Sequence, residues 1–423
     1  MRGNLSGVAP HCPLFTSYFT LHLALSTWHL ALALQVSDDM PIYHHLGEVP
    51  HKRHTIFRKP DGGLYAEELI GNKGFTGPSS LLYHLHQPTP VQAVRALRDL
   101  EWQRDPERQF RHRHFRTHQL SSGGSLTIDR VPLLYNSDVA MLLAQPDRED
   151  DFFYRNAQGD EIVYVSEGRG TLETALGDIP FESGHYLIVP RGVLHRYRLE
   201  AGPKKFLIIE STGFVRTPKR YRNDHGQLTE MSPYSERDIR RPQNLRTIDE
   251  KGSVRLVVKK EHRLFEMTLV HHPFDLVGWD GFYYPWAISI HDFEPRVGRI
   301  HLPPPVHQTF EGDGFVVCSF CPRPYDFDPQ AVPVPYNHSN VMSDEVIYYA
   351  SSEFMSRKSI EYGSVTLHPD GIPHGPHPGR TEAAIGAKET NELAVMVDTF
   401  KPFHVSRQAV EIEDNEYYHS WLS

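Results

Sequence analysis

An internal repeat limits the fold of this chain more than any other feature. One segment reads GDEIVYVSEGRGTLETALGDIPFESGHYLIVPRGVLHRY and a later one SDEVIYYASSEFMSRKSIEYGSVTLHPDGIPHGP. Both open with Asp-Glu, two β-branched residues and a tyrosine. Both close with Gly, Pro, Gly and His at successive steps of 6, 2 and 3: Gly184, Pro190, Gly192 and His195, then Gly363, Pro369, Gly371 and His374. Such a chain must build the same small unit twice. The runs EIVYV, HYLIV, EVIYY and SVTLH favour strands, and each Pro-x-Gly turn reverses direction ahead of a histidine-bearing strand. The pattern predicts a mainly β protein of two small antiparallel β-barrels, in which an acid from one strand meets a histidine from another inside the barrel. One helix is expected, TPVQAVRALRDLEWQ after Thr89.

With 423 residues there is room for two or three domains or one large duplicated one. The 33 prolines and 30 glycines favour short strands joined by turns. A net charge of −9 leaves no basic excess to neutralise phosphate, which argues against a nucleic-acid binder. Cys12, Cys318 and Cys321 make no disulfide framework, and the lone CxxC in FVVCSFCPRP is read as a pair of buried thiols. PLFTSYFTLHLALSTWHLALALQV resembles the apolar part of a signal peptide, but His22 and His29 are unusual there and the sequence starts afresh at Met40. Residues 1–39 are therefore taken as an N-terminal extension. No other apolar run reaches the ~18 residues that span a bilayer, so a cytoplasmic protein without membrane contact is expected. The expected division is 40–270, with a degenerate barrel lacking metal ligands, and 271–423, with a barrel holding a metal site.

The second copy carries the metal-binding pattern. His338 lies seven residues before Glu345. The repeat spacing resembles the two signature motifs of the cupin superfamily, and the duplication implies a bicupin. Where cupins have His-x-His, this chain has His338-Ser339-Asn340. His338, Glu345 and His374 remain, a set that resembles the facial triad of non-haem Fe(II) oxygenases. Asp344 competes with Glu345 as the acid, but adjacent strand residues face opposite sides, and Glu345 heads the alternation with Ile347 and Tyr349. In the first copy Tyr154 stands seven before Glu161, with Asn156 two further on, so that copy is read as structural. RHRHFRTHQL, with His112 and His114, is read as a solvated or interface segment because its arginines would repel a cation. YHLHQP, with His84 and His86, has no acidic motif attached and is read as structural.

Three further segments resemble the homogentisate 1,2-dioxygenase family: HHPFDLVGWDGFYYPWAISIHDFEP, GRIHLPPPVHQTFEGDGFVVCSFCPRP, and YNHSNVMSDE with LHPDGIPHGPH. The resemblance is strongest over about 270–400 and points to a bacterial-type member. It implies an Fe(II) cofactor held by His338, Glu345 and His374, with an aromatic diol and O2 as reactants. It implies cleavage of homogentisate to maleylacetoacetate, in tyrosine and phenylalanine breakdown. It also implies a general base in RIHLPPPVHQTF, either His301 or, failing that, His307. His368 matches a family histidine near the iron, and His368 and His374 are expected beside the substrate. The family's Tyr-x-x-Lys pair is replaced by SSEFMSRKSI. Phe354 stands near the tyrosine's place, and Arg357 or Lys358 is left to meet an acetate carboxylate. A homo-oligomer, a trimer or a pair of trimers, is implied in the same way. Two alternatives stay open: a dioxygenase for a related hydroquinone such as gentisate, and a non-catalytic cupin binding protein.

Overall fold

The computed structural model describes residues 42–121, 123–358 and 360–422. The expected extension 1–39, with Cys12, lies outside the described residues. Strands dominate the rest, and the repeat is plain in the architecture. The first copy is built on two seven-stranded sheets. One contains, in spatial order, Trp286–Ser289, His185–Val189, Asp160–Glu167, Lys205–Ser211, Val139–Ala144, Val131–Tyr135 and His404–Val405. The other includes His195–Leu199, Phe153–Asn156, Lys251–Lys260, Arg263–His271 and, at its edge, Val91–Asp99. The second copy forms a six-stranded sheet: Gln308–Gly312, Phe315–Phe320, Ala394–Thr399, Asp344–Tyr349, Ser364–His368 and Arg113–Arg116.

The sheets are open and sandwich-like rather than closed as barrels. Strands from outside the repeat take the edges that closure would use. Trp286–Ser289 pairs beside His185–Val189, and Arg113–Arg116 pairs at the corresponding place beside Ser364–His368. Segments also cross the 270/271 division drawn from the sequence: Trp286–Ser289 joins a first-copy sheet, while Arg113–Arg116 joins the second copy's. The two copies meet through buried tyrosines. The Tyr164 ring lies 4.9 Å from Tyr186 and 6.2 Å from Tyr348 between centroids, and the Tyr186 hydroxyl is 2.8 Å from Ser319 Oγ.

The segment expected as a helix, TPVQAVRALRDLEWQ, is instead the strand Val91–Asp99. It pairs antiparallel with Arg263–His271, and Arg95 Nη2 reaches Glu266 Oε1 across the ladder at 2.7 Å. Its burial follows no helical stripe. Pairing with an available sheet edge outweighs a helix propensity that has no apolar face to bury.

The turn chemistry is conserved between the copies. Gly184, Gly192, Gly363 and Gly371 have φ of 89°, 81°, 80° and 77°, a region where a Cβ is strained. The acid that opens each repeat holds the turn. Asp160 Oδ1 accepts from the Arg191 amide and Oδ2 from the Val215 amide, both at 2.9 Å. Asp344 accepts from the Asp370 amide at 2.9 Å and from the Phe403 amide at 2.7 Å. Asp344 thus faces away from the histidines and clamps the turn that carries His374. Replacing Asp344 with Ala should orphan two backbone donors and cost about 1–3 kcal/mol for each one left dry, read as a lower midpoint in urea unfolding.

A four-stranded sheet, His44–Gly47, Leu276–Gly281, Ser79–His84 and Ala66–Gly71, covers the first copy. His84, expected to lack acids, has two: Asp275 at 2.7 Å from Nδ1 and Glu68 at 2.9 Å from Nε2. Burial opposes its charge, but these partners outweigh burial and raise its pKa to about 9. The folded pKa lies above the unfolded one, so this contribution is complete below about pH 6.5 and is lost as pH climbs through about 9. Wild-type stability should fall over that window, and His84→Gln should flatten the fall in a pH series of thermal melts.

Candidate metal centre

Glu345 sits at the head of the strand Asp344–Tyr349, paired across to His368 on one side and Asp398 on the other. His338 and His374 pair with each other through an isolated backbone bridge. The ligand atoms of His338, Glu345 and His374 all lie within 4.8 Å of one another, the only such group of three among the described residues. His338 Nε2 is 3.6 Å from Glu345 Oε2, and His374 Nε2 is 3.4 Å from Glu345 Oε1. Each imidazole has its tautomer set from behind. His338 Nδ1 donates to the Tyr336 carbonyl at 3.1 Å, and His374 Nδ1 to the Ile372 carbonyl at 3.3 Å. Both Nε2 lone pairs therefore point at a carboxylate, acceptor against acceptor. His374 Nε2 is buried and has no hydrogen-bond partner. A cation between the three groups satisfies all of them, and backbone carbonyls orienting the ligating imidazoles are the usual support for a metal. The donor set fits a divalent transition metal.

His368 lies behind the carboxylate, not on the cavity wall. Its Nδ1 donates to Glu345 Oε1 at 2.7 Å, and its ring stacks on His374 with centroids 4.7 Å apart. Burial, opposed by Glu345, lowers its pKa to about 3 and keeps it neutral. For Glu345 burial works upward, but the three histidines hold the carboxyl well below its usual range. Gly375, after His374, is forced by space: a Cβ there would fall 2.1 Å from Asn337 Oδ1.

In front of the triad opens a cavity of about 370 Å³. His338, Glu345, Asn340, His301, His307 and Arg357 line it, with Phe320, Phe354 and Met396 as apolar wall. His301 is at the mouth, its side chain 45% exposed, with Nδ1 3.8 Å from Asp326 Oδ2. His307 is half-buried against Phe320, with its Nδ1 buried and unpaired; desolvation, then Arg323, lowers its pKa to about 3. Arg357 is buried, donates to the Gly375 carbonyl at 2.5 Å, and leaves Nε without a partner. Lys358 is exposed and is not among the lining residues. Cys318 and Cys321 are buried free thiols, as expected.

Two features escaped the sequence reading. His112 and His114 are not solvated. Arg113–Arg116 is a strand of the second sheet, His114 Nε2 is 2.9 Å from Ser364 Oγ, and the His112 ring lies 5.4 Å from His368. The arginines that should have repelled a cation are neutralised: Arg113 Nη1 lies 3.0 Å from Asp105 Oδ2, and Arg113 Nε donates to Glu413 at 2.9 Å. The second is Asp398, on the cavity wall with Oδ1 buried and unpartnered. Burial, then Glu345, raises its pKa to about 8. Its signal was a single acid within the apolar run LAVMVDTF.

The first copy shows how such a site is closed. Tyr154 and His195 occupy the places of His338 and His374, with the same backbone pairing. Arg130 places its guanidinium against Glu161, Nη1 at 2.7 Å and Nη2 at 2.8 Å from the two carboxylate oxygens. Burial favours a neutral Glu161, yet Arg130 outweighs it and lowers the pKa to about 2. Glu210, the counterpart of Asp398, is paired with Lys259 at 2.6 Å. Side-chain cations replace a metal throughout.

A family model described as homogentisate 1,2-dioxygenase N-terminal matches residues 135–290. The chain is 41% identical over 390 residues to "Putative dioxygenase SSO1533" of Saccharolobus solfataricus, spanning 91% of this chain and 100% of that one. It is 26% identical over 295 residues to the homogentisate 1,2-dioxygenase of Bradyrhizobium diazoefficiens, and 28% over 291 residues to that of Nitrobacter hamburgensis. In both cases the match spans 64% of this chain and 63% of the relative. Among solved structures, a cupin 2 conserved barrel domain protein from Leptotrichia buccalis matches 71% of this chain and 99% of its own, at 10% identity and a TM-score of 0.33. Among the described residues no helix is long and apolar enough to cross a membrane. By its 41% identity to a relative spanned end to end, the chain belongs to the same dioxygenase family as that protein, and residues 135–290 match the homogentisate 1,2-dioxygenase N-terminal model.

Proposed function

We propose that this chain is an Fe(II)-dependent ring-cleaving dioxygenase acting on homogentisate, a hydroquinone with an acetate arm, to give maleylacetoacetate in tyrosine and phenylalanine breakdown. The observation that carries this reading is the buried His374 Nε2, bare of any hydrogen bond and facing Glu345 and His338 beneath a cavity large enough for one aromatic ring. Fe(II) held by His338, Glu345 and His374 would supply open coordination positions for a diol and for O2. The remaining work falls to the chain's own side chains.

Phe320, Phe354 and Met396 give the ring an apolar wall and exclude water from it. The buried Arg357 is the carboxylate partner; its guanidinium is held in place by the Gly375 carbonyl and can present a planar fork to an acetate. Lys358, exposed, is dropped from that role. His301 takes the phenolic proton: it is exposed at the mouth, can return the proton to water, and has Asp326 to orient it. His307 is the second candidate, kept neutral by burial and therefore able to accept a hydrogen bond. His368 is a positioning residue that fixes the Glu345 carboxylate.

Gentisate carries its carboxylate directly on the ring, one carbon closer than the acetate arm of homogentisate, so the two substrates ask for differently placed carboxylate partners. A non-catalytic cupin is disfavoured because, among the described residues, no arginine or lysine pairs with Glu345 as Arg130 pairs with Glu161.

Oxygen electrode traces with the Fe(II)-loaded protein should show uptake on homogentisate and little on gentisate; uptake on gentisate alone, or none on either, refutes the assignment. Metal analysis should find one iron per chain, lost in His374→Ala and retained in His195→Ala. Arg357→Met should raise KM for homogentisate about 10- to 100-fold, the equivalent of about 1.5–3 kcal/mol for a charged hydrogen bond, with a smaller change in kcat.

A further inference from the structure

A second cavity lies between the four-stranded sheet and the first copy, separate from the metal centre. It measures about 130 Å³. Leu82, Leu194, Leu256, Met267 and Leu269 make its apolar wall, and Glu68, His84, Arg155, His271 and Asp275 are its charged or titratable members. Arg155 follows Tyr154 on the strand Phe153–Asn156, so its side chain leaves the opposite face of the sheet from the Arg130–Glu161 pair.

The polar groups of this cavity are satisfied, with one exception. His84 donates to Asp275 and to Glu68 from its two nitrogens. Asp275 gives its second oxygen to the His86 amide at 2.9 Å. His271 Nε2 donates to the Gln87 carbonyl at 3.0 Å. Arg155 makes no side-chain hydrogen bond or ion pair with any described residue, and its Nε is buried without a partner. Arg155 is half-buried, and with Glu68 reaching it only through space its N–H donors have no hydrogen-bonded acceptor, which an anion would supply. The same recess offers leucine and methionine surface to an apolar body.

The geometry points to a ligand site: the intersheet cavity binds a short aliphatic monocarboxylate, its carboxylate on Arg155 and its chain against Leu256, Met267 and Leu269. An oxyanion without an apolar body fits less well because the wall offers it nothing beyond one guanidinium. A neutral molecule leaves the guanidinium as it is.

Calorimetric titration of the metal-loaded full chain with butyrate, and with butyramide as the uncharged counterpart, tests this. Butyrate should bind once per chain and butyramide should not. Arg155→Met should weaken butyrate about tenfold or more. Leu269→Trp, which fills the recess and leaves the guanidinium, should do the same and serves should Arg155→Met fail to fold. Equal binding of butyrate and butyramide, no binding of butyrate, or binding that survives both substitutions and disappears in Arg357→Met overturns the proposal. The last outcome would place butyrate in the cavity before the metal centre, and the reading of that centre would stand.

Discussion

A carboxylate buried at the head of a strand needs a positive charge facing it. Burial alone pushes Glu161 and Glu345 towards neutrality, and in both copies the neighbours reverse that push. In the first copy the charge is Arg130, clamped on both oxygens. In the second no arginine or lysine makes an ion pair with Glu345 among the described residues; two bare imidazole nitrogens and a supporting histidine converge on it. The same backbone therefore presents one closed site and one open to a metal. The difference rests on a few positions: His338 against Tyr154, His368 against Val189, and Asp398, unpaired, against Glu210 with Lys259.

The scaffold fixes these side chains from several directions. Asp344 ties the head of the strand to the turn before His374. Gly375 lets Asn337 approach, and backbone bonding between His338 and His374 holds the two ligand-bearing segments together. Behind Glu345, the strand Arg113–Arg116 brings His112 against the histidine stack, its arginines neutralised by Asp105 and Glu413. Rigid elements of this kind give a metal site its geometry before the metal arrives.

Much of this was legible in the sequence. The repeat with its fixed Gly, Pro, Gly and His steps specifies the positive-φ turns, the strands and the placing of Glu345 over Asp344, because strand alternation and glycine strain are local properties. What was not legible is long-range. Val91–Asp99 became a strand because a sheet edge lay beside it, far away in sequence. His112 looked solvated because the acids that neutralise the neighbouring Arg113 lie 8 and 300 residues away from it in sequence. Arg130 gave no sign of its role, as nothing in the residues around it marks the carboxylate it meets. Asp398 stood out only as an acid among apolar residues, and its meaning depended on which strand lay next to it.

The most direct test of the central claim is anomalous diffraction at the iron edge from crystals of the Fe(II)-loaded protein. The account predicts a single peak per chain, at bonding distance from His338 Nε2, a Glu345 oxygen and His374 Nε2, with none beside Glu161. A peak elsewhere, or no peak between those three side chains at full iron loading, would contradict it.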